Sequence, residues 1–240
     1  GDYNNDRYPD LFVANGNFEN DNLYLNNKNG TFTKITTGAI VFDSAYGSGC
    51  SWGDYNNDGW LDLFVTSSGK NILYKNNTNG TFTKITAPFT ANGFSSFGCN
   101  WGDYDNDGDL DLFVSNNYNA VNFLYRNDGN DNFTKITNEI VGNEPSSSVG
   151  SAWGDYNNDG KLDLFVVNQG YNGPSENDFL YKNTGASNWY LMIKFWGGGI
   201  GTRVKIRIGN YIAIREVSGG NSCSSQDMPW VHFGLGFLAD

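Results

Sequence analysis

Short apolar runs and polar turns alternate along the chain, and nowhere do apolar residues recur at the 3.6-residue spacing of a helix. In LDLFVTS (61–67), Leu61, Leu63 and Val65 fall on one face and Phe64 on the other. An extended run with apolar side chains on both faces suits a strand sandwiched between neighbouring sheets. The pattern returns at fixed spacing. GDYNNDRYPDLFV begins at Gly1, WGDYNNDGWLDLFV at Trp52, WGDYDNDGDLDLFV at Trp101 and WGDYNNDGKLDLFV at Trp153. The first Asp of each copy stands at 2, 54, 103 and 155, a period of roughly 50 residues. A second signature follows each copy: NLYLNNKNGTFTKIT, NILYKNNTNGTFTKIT, NFLYRNDGNDNFTKIT and a shorter DFLYKNTG.

Each unit predicts four strands. In the second copy they lie in GSGCSWGDY, LDLFVTS, NILYKN and FTKIT; an acidic hairpin joins the first two, and Asn79-Gly80 is read as a two-residue turn before the last. Four short strands at this period predict an all-β fold of β-propeller-type four-stranded blades, four repeats with the first one incomplete. A stacked β-solenoid is the rival, but its repeats are usually shorter. A small β domain is expected at the C-terminus, with the division placed at 1–187 and 188–240.

The acidic hairpins carry the chemistry. Carboxylates this close repel one another unless a cation lies among them. The spacing D-x-[DN]-x-D-G-x-x-D points side chains 1, 3 and 5 into a tight loop, adds a main-chain carbonyl at 7 and closes with an Asp at 9. Ca2+ takes six to eight oxygen ligands at about 2.3–2.6 Å, which this arrangement supplies. The candidate metal sets are Asp2, Asn4, Asp6, the Tyr8 carbonyl and Asp10; Asp54, Asn56, Asp58, the Trp60 carbonyl and Asp62; Asp103, Asp105, Asp107, the Asp109 carbonyl and Asp111; and Asp155, Asn157, Asp159, the Lys161 carbonyl and Asp163. Up to four Ca2+ ions are expected. The opening is like an EF-hand loop, but the acid at 9 rather than 12 and the strands on both sides argue for another scaffold. Arg7 stands where the other loops have Gly, and a left-handed backbone costs a non-Gly residue roughly 1 kcal/mol or more. With its Pro9 as well, loop 1 is expected to be weakest; loop 3, richest in carboxylates, is expected to bind tightest.

Charge changes the picture little once the loops are counted. The net charge is −11, and 13 of the 26 acidic residues serve as carboxylate ligands in these loops, so four Ca2+ ions would bring it to about −3. An acidic chain without a basic face excludes a nucleic-acid partner. Residues 188–240 carry a net +2, which suggests a weak head-to-tail attraction between subunits. No stretch approaches the roughly 18 apolar residues of a membrane span, and the first residues show no signal-peptide pattern.

At these motifs the chain resembles the FG-GAP/VCBS repeat family, the calcium-loop propeller blades also found in integrin α-chains. The resemblance covers about residues 1–185. The segments GTRVKI, REVSGG and HFGLG in the remainder resemble the ASPIC/UnbV domain. Together these imply an extracellular or cell-surface protein, adhesive or binding in character, with no defined reaction.

Other residues read as structural. His232, the sole His, has no accompanying Ser or Cys nucleophile motif and is expected to be a strand residue. GGGIG (197–201) lacks the Lys-Ser/Thr of a phosphate loop and reads as a turn. Trp52, Trp101 and Trp153, with Tyr55, Tyr104 and Tyr156, are expected to pack between blades, with sugar stacking as the alternative. There is no CxxC pair among the three cysteines. Cys50 and Cys99 hold equivalent positions and are expected to fill small inner-strand sites; the alternative, a 50–99 disulfide, needs Cα atoms within about 7 Å and leaves Cys223 unpaired. Asn29, Asn76, Asn79 and Asn132 stand in N-x-Thr sequons as candidate N-glycosylation sites.

The reading is therefore a secreted or surface-exposed calcium-binding protein without catalytic activity, structural or adhesive. It is expected to self-assemble into a fibre by strand exchange at its incomplete first blade, or to bind a cell-surface protein or glycan. A carbohydrate-binding module and a calcium-dependent polysaccharide lyase are the alternatives.

Overall fold

The alternating stretches become strands, and the repeats become sheets. A computed structural model describes residues 1–240 apart from 18, 44–45, 87–94, 139–140, 142, 171–175, 187, 198, 221 and 237–240. The first repeat forms β1 (Leu11–Val13), β2 (Asn22–Asn26) and β3 (Phe32–Ile35), followed by a 3-10 turn at Ala39–Val41. The second forms β4 (Gly47–Gly53), β5 (Asp62–Ser67), β6 (Ile72–Asn76) and β7 (Phe82–Ile85). The third contains β8 (Ser96–Gly102), β9 (Asp111–Asn116), the short β10 (Ala120–Val121), β11 (Phe123–Asn127), β12 (Phe133–Ile136) and β13 (Pro145–Ser146), which pairs with β10. The fourth has β14 (Ser148–Gly154), β15 (Asp163–Asn168) and β16 (Phe179–Tyr181). Within each repeat the main strands pair antiparallel in chain order.

The fold is all-β, with no α-helix among the described residues and no helix long and apolar enough to cross a membrane. The second and third blades have the four strands expected. Among the described residues the fourth has three, because its strand signature stops at DFLYKNTG without a following FTKIT. Among the described residues, no strand pairs with the other side of β1 in the first.

The core lies between blades. Leu63 and Val65 pack with Tyr3, Phe12 and Leu23 of the first blade, while Phe64 packs with Trp101, Leu112 and Val114 of the third. All three are fully buried, and burial of each such side chain is worth about 1.5–3 kcal/mol. The recurring tryptophans do the packing expected of them. Trp52 stacks on Tyr3, Trp101 on Tyr55 and Trp153 on Tyr104, so the hairpin Tyr of one blade meets the Trp of the next. A Cβ on Gly53 or Gly102 would press into the following Trp ring. Tyr156 of the last blade stays exposed.

Two expectations change. Asn79-Gly80 is not a two-residue turn: Asn76 pairs with Phe82, Asn77 N–H reaches the Thr81 carbonyl at 2.9 Å, and the left-handed residues are Thr78 and Gly80. The Asn79 side chain accepts from Thr81 N–H and the Thr81 hydroxyl, and that local bonding favours the longer loop. Asn76 is not an accessible sequon, because it is buried and its Nδ2 donates to the Tyr3 and Leu61 carbonyls. Asn29, Asn79 and Asn132 are exposed. Cys50, Cys99 and Cys223 are free thiols.

The C-terminal part forms two hairpin-like pairs around its own small core of Ala213, Val217, Val231 and Phe233. They are built from β17 (Tyr190–Lys194), β18 (Arg203–Ile208), β19 (Tyr211–Glu216) and β20 (Trp230–Gly234), with β17 on β20 and β18 on β19. The expected division at 187/188 falls beside position 187, and Gly198 of the GGGIG turn also lies outside the described residues; Gly197, Gly199 and Gly201 have positive φ, as a turn requires.

Candidate metal centres

Strand pairing sets the two ends of each acidic hairpin. Gly53 pairs with Asp62, Gly102 with Asp111 and Gly154 with Asp163. The carboxylate at position 1 therefore leaves the first strand beside the carboxylate at position 9, which opens the second. Between them the chain folds back on its own side chains. Asp58 N–H donates to Asp54 Oδ1 and to Asn56 Oδ1, each at 3.0 Å; Gly59 N–H reaches Asp54 Oδ2 at 3.2 Å and Trp60 N–H reaches Asp58 Oδ1 at 2.9 Å. Loops 1 and 4 repeat these four bonds around Asp2, Asn4 and Asp6, and around Asp155, Asn157 and Asp159. Loop 3 keeps the bonds from Gly108 N–H to Asp103, from Asp107 N–H to Asp105 and from Asp109 N–H to Asp107. The position-7 residues, Tyr8, Trp60, Asp109 and Lys161, thus point their N–H at the position-5 carboxylate.

The hairpins are left-handed at two residues each. Gly59, Gly108 and Gly160 have φ of 88°, 102° and 84°, and Arg7 takes the same place at 74°. The Asn at position 4 is also left-handed, as Asn5, Asn57, Asn106 and Asn158 show. Three of these Asn side chains reach the next loop: Asn5 Nδ2 to the Gly59 carbonyl, Asn57 Nδ2 to Asp109 and Asn106 Nδ2 to the Gly160 carbonyl.

The sequence analysis missed a second shared device. Asn26, Asn76, Asn127 and Asn183, at the end of the third strand of each repeat, donate their N–H to Oδ1 of Asp10, Asp62, Asp111 and Asp163 at 2.8–2.9 Å. The last three also send Nδ2 to two carbonyls, one of them in the preceding blade. This Asn turns the position-9 carboxylate inward. The signal was present in the recurring LYxN at the end of that strand, read instead as strand and sequon.

What remains inside the hairpins is unsatisfied oxygen. Asp10 Oδ2, Asp62 Oδ2 and Asp103 Oδ1 are buried without a hydrogen-bond partner. In loop 3, oxygens of Asp103, Asp105 and Asp111 come within 4.8 Å of one another. Burial raises these carboxyls: Asp54 and Asp103 to about 7, Asp62 to about 9, Asp10 and Asp105 to about 6, and Asp111 well above the ordinary 3.8. Neighbouring carboxylates add to the shift at Asp62 and Asp111, while the Arg215 guanidinium opposes it at Asp54 and Asp103. Hard, oxygen-only donors that crowd together and stay partly unpaired fit a divalent cation such as Ca2+. Loop 1 differs in having cations of its own, Lys28 on Asp6 and Arg203 on Asp2, each at 3.2 Å.

The C-terminal part sits on these loops. Ile214 N–H donates to Asp54 Oδ2 at 3.1 Å, Gly234 N–H to Asp103 Oδ2 at 2.7 Å, and Glu216 accepts from Asp2 N–H. His232 lies in β20, the strand placement expected of it. Its Nε2 meets the Gly160 carbonyl at 3.2 Å, its ring stacks on Tyr190, and burial lowers its pKa to about 4. Beyond β19 the chain continues across the first strands of the blades: Ser222 Oγ accepts from Cys99 N–H, Ser225 Oγ accepts from Ser151 N–H, and Asp227 accepts from Trp153 N–H and Asn100 Nδ2.

Comparison with known proteins finds family models that match this chain. The family model described as ASPIC and UnbV matches residues 197–239. No curated protein matches. Among solved structures, an Agrocybe aegerita lectin, described as specifically recognising non-reducing terminal N-acetylglucosamine, is similar at 16% identity with a TM-score of 0.46. The match covers 74% of this chain and 50% of the lectin, so this chain spans half of that protein's length. The family model described as FG-GAP-like repeat matches residues 2–65, 54–114 and 103–166, each match running from one acidic hairpin through the next. With more than half of its length so matched, the chain belongs to the FG-GAP-like repeat family.

Proposed function

We propose that this is a calcium-binding repeat protein of the cell exterior or cell surface, structural or adhesive in role and without a reaction of its own. One observation carries the reading. The hairpin N–H groups and the strand-end Asn hold the carboxylates so that buried oxygens of Asp10, Asp62 and Asp103 face inward with no donor. FG-GAP-like repeats commonly bind calcium, which supports the same ion here. Ca2+ would be held by positions 1, 3, 5 and 9 of each hairpin with the position-7 carbonyl, and would supply the charge that these carboxylates lack. Metal-binding energy is then folding energy. Extracellular calcium fills even sites of about 10⁻⁴–10⁻³ M affinity, which supports the location. Self-association would use β1, the outer strand of its sheet, where Leu11 and Val13 are 46% and 36% exposed.

Calorimetric titration with Ca2+ and thermal melts with and without chelator test the ion. Each filled site stabilises by about 2.7 kcal/mol at a calcium concentration 100 times its Kd, so chelation lowers Tm. Asp62→Asn removes one site and a corresponding share of that gain. A melting curve indifferent to chelator discards the reading. Electron microscopy in calcium that shows isolated monomers at high concentration discards the assembly.

A further inference from the structure

The contact between successive blades has two unlike halves, and each end blade leaves one half uncovered. On the forward side, Tyr3, Phe12 and Leu23 of the first blade pack on the second, Tyr55, Phe64 and Leu73 of the second on the third, and Tyr104, Phe113 and Leu124 of the third on the fourth. Strand register fixes the equivalence, because Phe12 opposes Leu23, Phe64 opposes Leu73, Phe113 opposes Leu124 and Phe165 opposes Leu180. In the fourth blade these residues are Tyr156, Phe165 and Leu180, and they are 54%, 40% and 57% exposed. On the receiving side, Leu63, Val65 and Phe82 are buried against the first blade, and Leu112, Val114 and Phe133 against the second. Their equivalents in the first blade, Leu11, Val13 and Phe32, are exposed. Apolar faces of this kind mark a contact surface.

The polar contacts divide in the same way. Asn5, Asn57 and Asn106 each send Nδ2 forward to the next hairpin, whereas Asn158 is exposed and meets no further hairpin among the described residues. Asn76, Asn127 and Asn183 send Nδ2 back to the Tyr3, Tyr55 and Tyr104 carbonyls of the preceding blade. Asn26, their equivalent in the first blade, donates to the Pro9 carbonyl of its own blade and meets no preceding blade among the described residues.

We propose that the fourth blade of one copy docks on the first blade of a second copy, in the way that each blade docks on the next within the chain. This rests on the self-association read above and moves the contact from the β1 edge to the blade faces. Tyr156 then meets Phe32, as Tyr3 meets Phe82 and Tyr55 meets Phe133 with ring centres 5.6 and 5.8 Å apart. Asn158 meets the Arg7 carbonyl, and Asn26 meets the Tyr156 carbonyl. The first blade has no Trp to stack on Tyr156, so the contact is weaker than the three internal ones. It joins unlike surfaces, so it either closes on itself or propagates. Two copies supply eight blades, within the roughly four to eight of propeller rings, so a closed pair uses the contact twice.

The test is sedimentation velocity of the 240-residue chain in calcium at rising concentration. The parent chain is expected to gain mass with concentration. Phe165→Asp and Leu11→Asp each put a charge on one exposed face, and each is expected to weaken self-association about tenfold or more. Mixed, the two variants are expected to pair one to one, because Phe165→Asp keeps an intact first blade and Leu11→Asp an intact fourth. Leu180→Asp, at the most exposed of the three forward positions, repeats the measurement should Phe165→Asp lower Tm. Association of the fourth-blade variants as strong as that of the parent overturns this proposal alone and leaves the β1 edge as the contact. A mixture that stays monomeric while the parent associates also overturns it. A parent chain that is monomeric at every concentration overturns it together with the self-association on which it rests.

Discussion

Asp21 shows how one residue carries a cost that its repeat equivalents avoid. Its Oδ1 accepts from Asn15 N–H at 2.8 Å, while Oδ2 is buried without a partner. In the second and third blades the same place holds Asn71 and Asn122, whose oxygens accept the same kind of N–H and whose Nδ2 atoms reach Ser96 and Ser148. Burial raises the Asp21 carboxyl from 3.8 to about 6. The folded state therefore holds this proton more tightly than the unfolded chain. The contribution is complete below the ordinary pKa and is lost as pH rises through about 6. Asp21→Asn is expected to stabilise by about 1–2 kcal/mol at neutral pH and by nothing near pH 4. Melting curves of the two proteins across that range check it; a gap that does not grow with pH refutes the assignment.

At the scale of the hairpin, backbone conformation separates loop 1 from the rest. The loop closes through a left-handed residue after position 5, which glycine accepts without strain. Arg7 takes it at φ 74° and still donates its N–H to Asp2 Oδ2 at 2.8 Å, so the hydrogen bond holds the strained residue in place. Arg7→Gly is expected to raise stability by about 1 kcal/mol without changing the fold, read as a higher Tm in chelator. The strain was legible in the sequence, because a D-x-N-x-D-G pattern with Arg in the Gly place names the position. The strand-end Asn was harder to see. Its role depends on two backbone carbonyls and a carboxylate that only strand pairing brings to it.

Over the whole molecule, the C-terminal part closes the blades on two sides. β19 and β20 donate to the hairpin carboxylates, and residues 222–227 lie along β4, β8 and β14. The glycines of those strands make the approach feasible: a Cβ on Gly49 would run into Ser222, and one on Gly150 into the Ser224 carbonyl. Gly150→Ala is expected to cost about 1–3 kcal/mol, the range for forcing extra volume into a packed site. It should also speed amide exchange across 222–228 while the hairpins of blades 2 and 3 stay protected. Unchanged exchange in that segment would show that it does not depend on the contact. The positive balance of residues 188–240, expected to act between subunits, meets the chain's own acid here, with Arg203 on Asp2.

The sequence by itself determined the repeat, its strands and the acidic hairpins, because each is a local pattern: two-residue alternation, a left-handed glycine, carboxylates at fixed offsets. It also foretold the Trp–Tyr packing, which is the same contact made three times. Tertiary structure alone decided where the C-terminal part docks, which carboxylate oxygens stay unpaired and which sequon is buried. Those outcomes depend on groups 70 to 200 residues apart meeting at a few ångströms, and no local periodicity encodes such a meeting.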